Sequence, residues 1–284
     1  MFTQMSLKAK LLLVAALPFF AYLALVGIKM YDNWERLKTA ETTNLNVDLM
    51  QGVSGFVHEF QKERAKSVAY LGKTIDMSDL NIQRSLTDKN MSKFEKALKL
   101  TSATVQKNFE DAYKAAQELT NYRAKIGSYS IETKEAIGYF SNTVSSLIDA
   151  NSTLSAVSPV VGVPLAIRST EILETAKESA GRLRAQVIGA IVANVPIDAA
   201  RYKTINSLKE GVDLSLKSQG LSISLESKKK IAAFKASNNW SKTVEITDSV
   251  LKNADKGNYG LDSKAFYSYI TAALDDLADI INTE

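Results

Sequence analysis

The chain has 284 residues, of which 45% are hydrophobic, and its formal net charge is only +4. This length accommodates one large domain or two small ones, and the dispersed lysines form no basic stripe of the kind that binds nucleic acid. The chain has no cysteine and a single histidine, which excludes disulfides, thiol nucleophiles and zinc sites rich in Cys and His.

The N-terminal segment is apolar. Residues 11–28, `LLLVAALPFFAYLALVGI`, carry no charge and reach the lower length limit of a membrane span. Lys8 and Lys10 precede the run, which favours a cytoplasmic start. A cleaved signal peptide is the competing interpretation, but the run is long for a signal core and no A-x-A site follows before Lys29. We therefore predict a cytoplasmic tip and anchor helix over 1–31, with residues 32–284 outside the cytoplasmic membrane.

The rest of the chain shows apolar residues three and four positions apart, which predicts successive helices with short breaks. The anchor helix is expected to run on to about residue 72. Further helices are predicted over about 78–124, 131–157, 164–194, 197–218, 222–234, 238–254 and from 264 onwards, with the sharpest break at `SPVVGVP`, residues 158–164. The predicted fold is all-α, with an N-terminal transmembrane helix followed by stacked antiparallel four-helix bundles.

Three of these helices carry an arginine on or beside the apolar stripe. Arg64, Arg84 and Arg184 occupy positions where the pattern calls for an apolar residue. A buried charge is strongly destabilising without a partner, so each guanidinium needs an internal acceptor or a bound anion. A planar oxyanion fits the guanidinium fork with two parallel hydrogen bonds. The pattern therefore indicates a candidate site for a small oxyanion between helices.

A purely structural interpretation competes with the anion site. An arginine can bury its methylenes and extend its charged head to water. Carboxylates are also close in sequence: Glu63 and Glu59 lie near Arg64, and Asp88 is one turn from Arg84. Convergence of Arg64 and Arg184 on one cavity would favour the anion site. Heads that diverge to solvent would favour a membrane-tethered bundle that binds a protein partner and no small anion.

Five segments in order resemble a known family: `FQKERAKSVAYL`, `IQRSLTDKNMSKFEKAL`, `YRAKIGSYSIETKEAIGYFSNTVSSLIDA`, `KESAGRLRAQVIGAIVANVPIDAARY` and `LDSKAFYSYITAALDDLADI`. Together they are similar to the nitrate- and nitrite-sensing (NIT) domain of bacterial receptors, from about residue 45 to 284. The resemblance implies two four-helix bundles that bind nitrate or nitrite with arginines at their junction. The ligand-binding role that the resemblance implies is assigned here to Arg64 and Arg184, and secondarily to Arg84 and Arg182. The chain departs from the family in reading Arg-Leu-Arg at 182–184, and in lacking an arginine in `SKTVEITDSVLKN`.

We therefore expect a periplasmic sensor domain of a chemotaxis-type or related receptor in the bacterial inner membrane. Its expected partners are nitrate or nitrite, the membrane through residues 11–28 and a second copy of the chain, with no nucleic acid. A second span and a cytoplasmic output module are expected to follow. No catalytic constellation, cofactor motif or metal motif is present, so we expect no enzyme. The alternative function is a membrane-tethered bundle that binds a protein partner and no small anion.

Overall fold

The computed structural model describes residues 6–157, 160 and 162–284. Within these ranges it contains twelve α-helical segments and no strand, which confirms the all-α prediction. The chain divides into two compact units, Met1–Asn44 and Leu45–Glu284. The helices in chain order are α1 (Leu7–Leu71), α2 (Met77–Leu100), α3 (Ala103–Asn108), α4 (Glu110–Gln117), α5 (Leu119–Gly127), α6 (Thr133–Ser152), α7 (Leu154–Val157), α8 (Val163–Ala193), α9 (Ala199–Leu216), α10 (Leu225–Ala236), α11 (Asn238–Lys252) and α12 (Ser263–Thr283).

The first unit carries the apolar part of α1. Its large side chains are exposed, among them Leu12, Val14 and Phe20. Among the described helices, α1 is the one that is long and apolar enough to cross a membrane. Pro18 lies inside this helix, and neighbouring groups can satisfy the carbonyl that a proline frees in a bilayer. By length and composition, this part of α1 fits a membrane-spanning segment.

The second unit begins with a bundle built around aromatic side chains. Phe56, Phe60, Phe94, Phe109 and Phe140 are all fully buried in one hydrophobic cluster. The ring centroids of Phe56 and Phe94 lie 5.7 Å apart, and those of Phe60 and Phe140 lie 4.7 Å apart. The C-terminal part of α1, α2, the α3–α5 stretch and α6 supply these rings. These four stretches form the first bundle, as expected from their apolar stripes.

One predicted element is wrong in its extent. The sequence predicts a single helix over 78–124, but α2 ends at Leu100 and Ser102 adopts an extended backbone as the N-cap of α3. The chain reverses at this point, so that the ring centroids of Phe94 of α2 and Phe109 lie 6.1 Å apart across the turn. Segments α3–α5 then run antiparallel to α2. The apolar spacing continues through the reversal, and periodicity alone therefore did not reveal it.

The second bundle consists of α8–α12 around another hydrophobic cluster. Its aromatic contacts include Phe234 and Trp240, whose ring centroids lie 5.1 Å apart. Helix α8 contributes to both clusters, because Ile167 belongs to the first and Leu173 to the second. The predicted pair of bundles thus shares one helix.

The break predicted at 158–164 lies partly outside the described residues, since 158, 159 and 161 are not among them. Helix α8 begins at Val163 with Pro164 in its first turn, a position that tolerates the missing proline N–H. Gly162 precedes it with φ 95°, a left-handed backbone that favours glycine. The predicted start of this helix at about residue 164 is confirmed.

Candidate functional site

Helix α8 buries three charged side chains within two turns. Lys177, Glu178 and Arg184 are only 2%, 5% and 5% exposed. Because residues three and four positions apart share one face of a helix, Lys177, Gly181 and Arg184 lie on the same side of α8. A buried charge without a partner is strongly destabilising, so the partners of these groups define the chemistry of the site.

Arg64, which is 1% exposed on α1, is held by Glu178. Its Nη1 lies 2.6 Å from Glu178 Oε1 and its Nη2 lies 3.1 Å from Oε2, a two-pronged ion pair. Nη1 also donates to Ser141 Oγ on α6 at 2.8 Å, and Gln61 Nε2 donates to Glu178 Oε2 at 2.9 Å. The protein itself therefore compensates the Arg64 charge, and the pair ties α1 to α6 and α8.

The carboxylates that neighbour Arg64 in sequence belong to a different cluster. Glu63 is fully buried and accepts hydrogen bonds from Arg123 Nε at 2.7 Å and from Arg123 Nη2 at 2.8 Å. Arg84 Nε lies 3.9 Å from the same carboxylate. Asp88 pairs with Arg123 at 2.6 Å, not with Arg84 as its spacing indicated. Glu59 accepts a hydrogen bond from a glutamine of α2. This second cluster fastens α1 to α2 and α5.

In the described part of the chain, Arg184 has no carboxylate partner of its own. Its Nη1 donates to Thr271 Oγ1 on α12 at 3.1 Å, and its guanidinium carbon lies 5.4 Å from the centroid of the Tyr267 ring. Among the described residues, no carboxylate oxygen lies within 4.0 Å of its nitrogens. Burial, with the nearby positive charge of Arg64, lowers the pKa of Arg184 to about 10. Arg184 is thus a buried cation at neutral pH with hydrogen-bonding capacity to spare.

A cavity of about 120 Å³ lies beside Arg184. This volume exceeds the roughly 10–15 Å³ that one water requires. Four cationic side chains and one carboxylate line it: Lys62, Lys66, Lys177, Arg184 and Asp275. The Lys177 charge is balanced by Glu174, 2.8 Å away, but the cavity wall keeps a positive excess. Such a cavity favours a small anion over a cation or a neutral molecule.

Gly181 separates this cavity from Arg64. The glycine lines the cavity, and a Cβ added to it would lie 2.8 Å from Arg64 Nη2. Any other residue at this position would push against the guanidinium, which the ion pair with Glu178 holds in place. The missing side chain lets Arg64 approach the edge of the cavity, so that the two predicted arginines come near one space.

His58 lines the same cavity and is neutral. Burial, together with the positive charges of Lys177, Lys62 and Arg184, lowers its pKa from 6.5 to about 3. A neutral imidazole can accept a hydrogen bond at one ring nitrogen and donate at the other. The single histidine of the chain is therefore a polar, uncharged part of the cavity wall at neutral pH.

The structure separates the four predicted ligand-binding arginines into three groups. Arg184 lines the cavity, and Arg64 lies at its edge, engaged by Glu178. Arg84 belongs to the cluster around Glu63, where burial lowers its pKa. Arg182 is exposed on α8. Neither Arg84 nor Arg182 lines the cavity.

Sequence reasoning missed the contribution of α12 and the role of Arg123. Tyr267, Thr271 and Asp275 all line the cavity, and their spacing of four residues forms a polar stripe along one face of α12. That stripe was a usable signal. Arg123 gave no comparable signal, since its partner Glu63 is 60 residues away in sequence.

The structure thus combines an all-helical pair of bundles with a cation-lined cavity between helices. The family model described as nitrate and nitrite sensing (NIT) matches residues 55–283. Since this match covers most of the chain, the protein belongs to the NIT family, a family of sensor domains. The resemblance noted in the sequence is thereby confirmed.

A solved structure shows the same fold. The structure of the NasR transcription antiterminator matches with a TM-score of 0.68 and 18% sequence identity, over 90% of this chain and 73% of that chain. At this identity the likeness concerns the fold alone. A comparison with curated proteins finds no match.

Proposed function

We propose that this chain is the extracytoplasmic sensor of a transmembrane signalling receptor, and that it binds nitrate or nitrite in the cavity beside Arg184. Family membership supports nitrate and nitrite as the ligand class. The observation that carries the site is Arg184 itself, a buried cation with one neutral hydrogen-bond partner beside a cavity with excess positive charge. A planar anion there would meet the guanidinium with two parallel hydrogen bonds.

The proposed binding mode uses side chains from three helices. Arg184 of α8 provides the main contact, Thr271 and Tyr267 of α12 lie against its guanidinium, and Lys62 of α1 adds charge. Arg64 contributes through Nη2, which faces Gly181. An anion that attracts these groups together draws the three helices closer, and a ligand shifts a conformational equilibrium by its differential affinity for the two states. The involvement of Arg84 and Arg182 stays a prediction, with any effect transmitted through other residues or through the surface charge of α8.

The receptor part of the proposal concerns topology. Residues 1–31 would form the cytoplasmic tip and anchor, with the span at 11–28, and residues 32–284 would form the periplasmic sensor in the bacterial inner membrane, as a homodimer. Support comes from the apolar, exposed N-terminal part of α1 and from Lys8 and Lys10 ahead of it. The chemotaxis-type output, and the absence of catalytic activity, belong to the same proposal.

A thermal titration tests the proposed site. Nitrate and nitrite should raise the Tm of the detergent-solubilised chain with the logarithm of their concentration, and chloride serves as the control anion. Arg184→Ala should abolish this gain, and Arg184→Lys should keep only part of it, because an ammonium lacks the planar fork. Arg168→Ala, which removes an exposed arginine from the same helix, should leave the gain intact.

The opposite results would contradict the proposal. If the wild-type Tm does not respond to millimolar nitrate or nitrite, the ligand assignment is wrong. The alternative function, a bundle that binds a protein partner, is then favoured. If Arg184→Ala keeps the anion response, the anion binds elsewhere.

A further inference from the structure

The guanidinium fork of Arg64 is occupied by a carboxylate of the protein. Glu178 meets it at 2.6 Å and 3.1 Å, with the side chains of the two residues 2% and 7% exposed. A carboxylate and a planar inorganic oxyanion present the same kind of paired oxygens and the same negative charge to such a fork. Glu178 therefore stands where a bound anion would make its second two-pronged contact.

The Arg64 fork is nevertheless close to the cavity. Gly181 lines the cavity and follows Glu178 by three residues on α8, and a Cβ at this position would lie 2.8 Å from Arg64 Nη2. No side chain at position 181 blocks the guanidinium on that side. The Glu178 carboxylate also has a second donor, Gln61 Nε2 at 2.9 Å. The carboxylate thus keeps a hydrogen bond when it leaves the arginine.

We propose that Glu178 sets the affinity of the anion site, because its carboxylate occupies the Arg64 fork in the empty protein and is displaced from it when an anion binds. This inference rests on the proposed function of the cavity. Displacement releases the ion pair that joins α1 to α8, and the energy of anion binding is thereby coupled to the packing of these two helices. The site binds its anion more weakly than the two arginines alone would, since the anion must compete with a resident negative charge.

Glu178→Gln tests the inference in the full chain. The amide keeps the shape of the side chain but removes the competing charge. We expect the Kd for nitrate, measured by calorimetry, to fall roughly tenfold, which corresponds to about 1.4 kcal/mol. Without anion, this variant should melt at a lower temperature than wild type, because Arg64 loses its counter-ion. Nitrate should then raise its Tm by more than it raises that of wild type.

Glu63→Gln is the matched control. It removes a buried carboxylate from α1, next to Arg64 in sequence, but its partners are Arg123 and Arg84. Its nitrate Kd should stay within about twofold of wild type, since charges that do not share the site couple weakly. A tenfold tightening in this control as well would attribute the effect to net charge and overturn the role of Glu178.

Other outcomes separate this inference from the proposed function. If wild type binds nitrate, Arg184→Ala abolishes binding and Glu178→Gln binds as wild type or more weakly, the cavity assignment stands and the competitor role of Glu178 is refuted. If neither wild type nor Glu178→Gln binds nitrate or nitrite, both proposals fail. Should Glu178→Gln not fold, Glu178→Asp retains the charge but withdraws it from the fork. A tightening of two- to threefold supports the inference, and an equal or weaker affinity overturns it.

Discussion

The neutral state of His58 makes the stability of the protein depend on pH. Folding lowers the pKa of this side chain from 6.5 to about 3, chiefly by burial and also through Lys177, Lys62 and Arg184. Between these two values the unfolded chain binds a proton that the folded chain does not. The contribution of neutral His58 is therefore fully present above the unfolded pKa and is lost as the pH falls below it.

The size of the effect follows from this linkage. Each pH unit below about 6.5 removes about 1.4 kcal/mol from the free energy of unfolding, until the folded pKa is reached. At about pH 5 the loss attributable to His58 is about 2 kcal/mol. Unperturbed carboxyl groups in general titrate mostly below this range.

The assay compares urea unfolding of wild type and His58→Gln at about pH 5 and about pH 7. The glutamine keeps a polar side chain in the cavity but cannot titrate, so the difference between the two proteins cancels the other ionisable groups. Wild type should lose about 2 kcal/mol more than the variant on acidification. Nitrate in the cavity should raise the pKa of His58, because it offsets the cations that lower it.

Nuclear magnetic resonance provides a direct check, since the chain has a single histidine and its ring signals need no disentangling. A titration midpoint near 6.5 in the folded protein would refute the reasoning about His58. The same holds if wild type and His58→Gln lose equal free energy of unfolding between the two pH values.

Two further predictions follow from the glycines and from the anchor. Gly181→Ala should lower the Tm and weaken nitrate binding, because its Cβ would lie 2.8 Å from Arg64 Nη2. Gly138→Ala has open space around its Cβ and should stabilise helix α6 by up to about 1 kcal/mol. Equal Tm values for the two variants would contradict this prediction. A reporter fused after Lys29 should be active only when exported to the periplasm, and cytoplasmic activity at that position would refute the proposed topology.

The sequence was sufficient for the helical class and for the positions of the unusual arginines. Apolar spacing reports which face of a helix is buried, and that is why Arg64 and Arg184 were recognised as buried charges. It does not report which residue compensates them. Glu178 lies 114 positions from Arg64 in sequence, while the nearby Glu63 turned out to face Arg123.

The chain reversal after α2 was hidden for a related reason. Ser102 is an ordinary N-cap residue, but the apolar positions on both sides of it continue one helical spacing. The cavity was hidden as well, because it forms only where α1, α2, α8 and α12 meet. The polar stripe at Tyr267, Thr271 and Asp275 was visible in the sequence, yet its neighbours were not.

Helix α8 places a limit on how this sensor can be divided. It supplies Ile167 to one hydrophobic cluster and Leu173 to the other, within two helical turns. A cut on either side of α8 would leave one bundle with an uncovered apolar surface, so neither half is an autonomous folding unit. We therefore expect a chimera of two family members to be less stable when it is joined inside the sensor than when it is joined outside it.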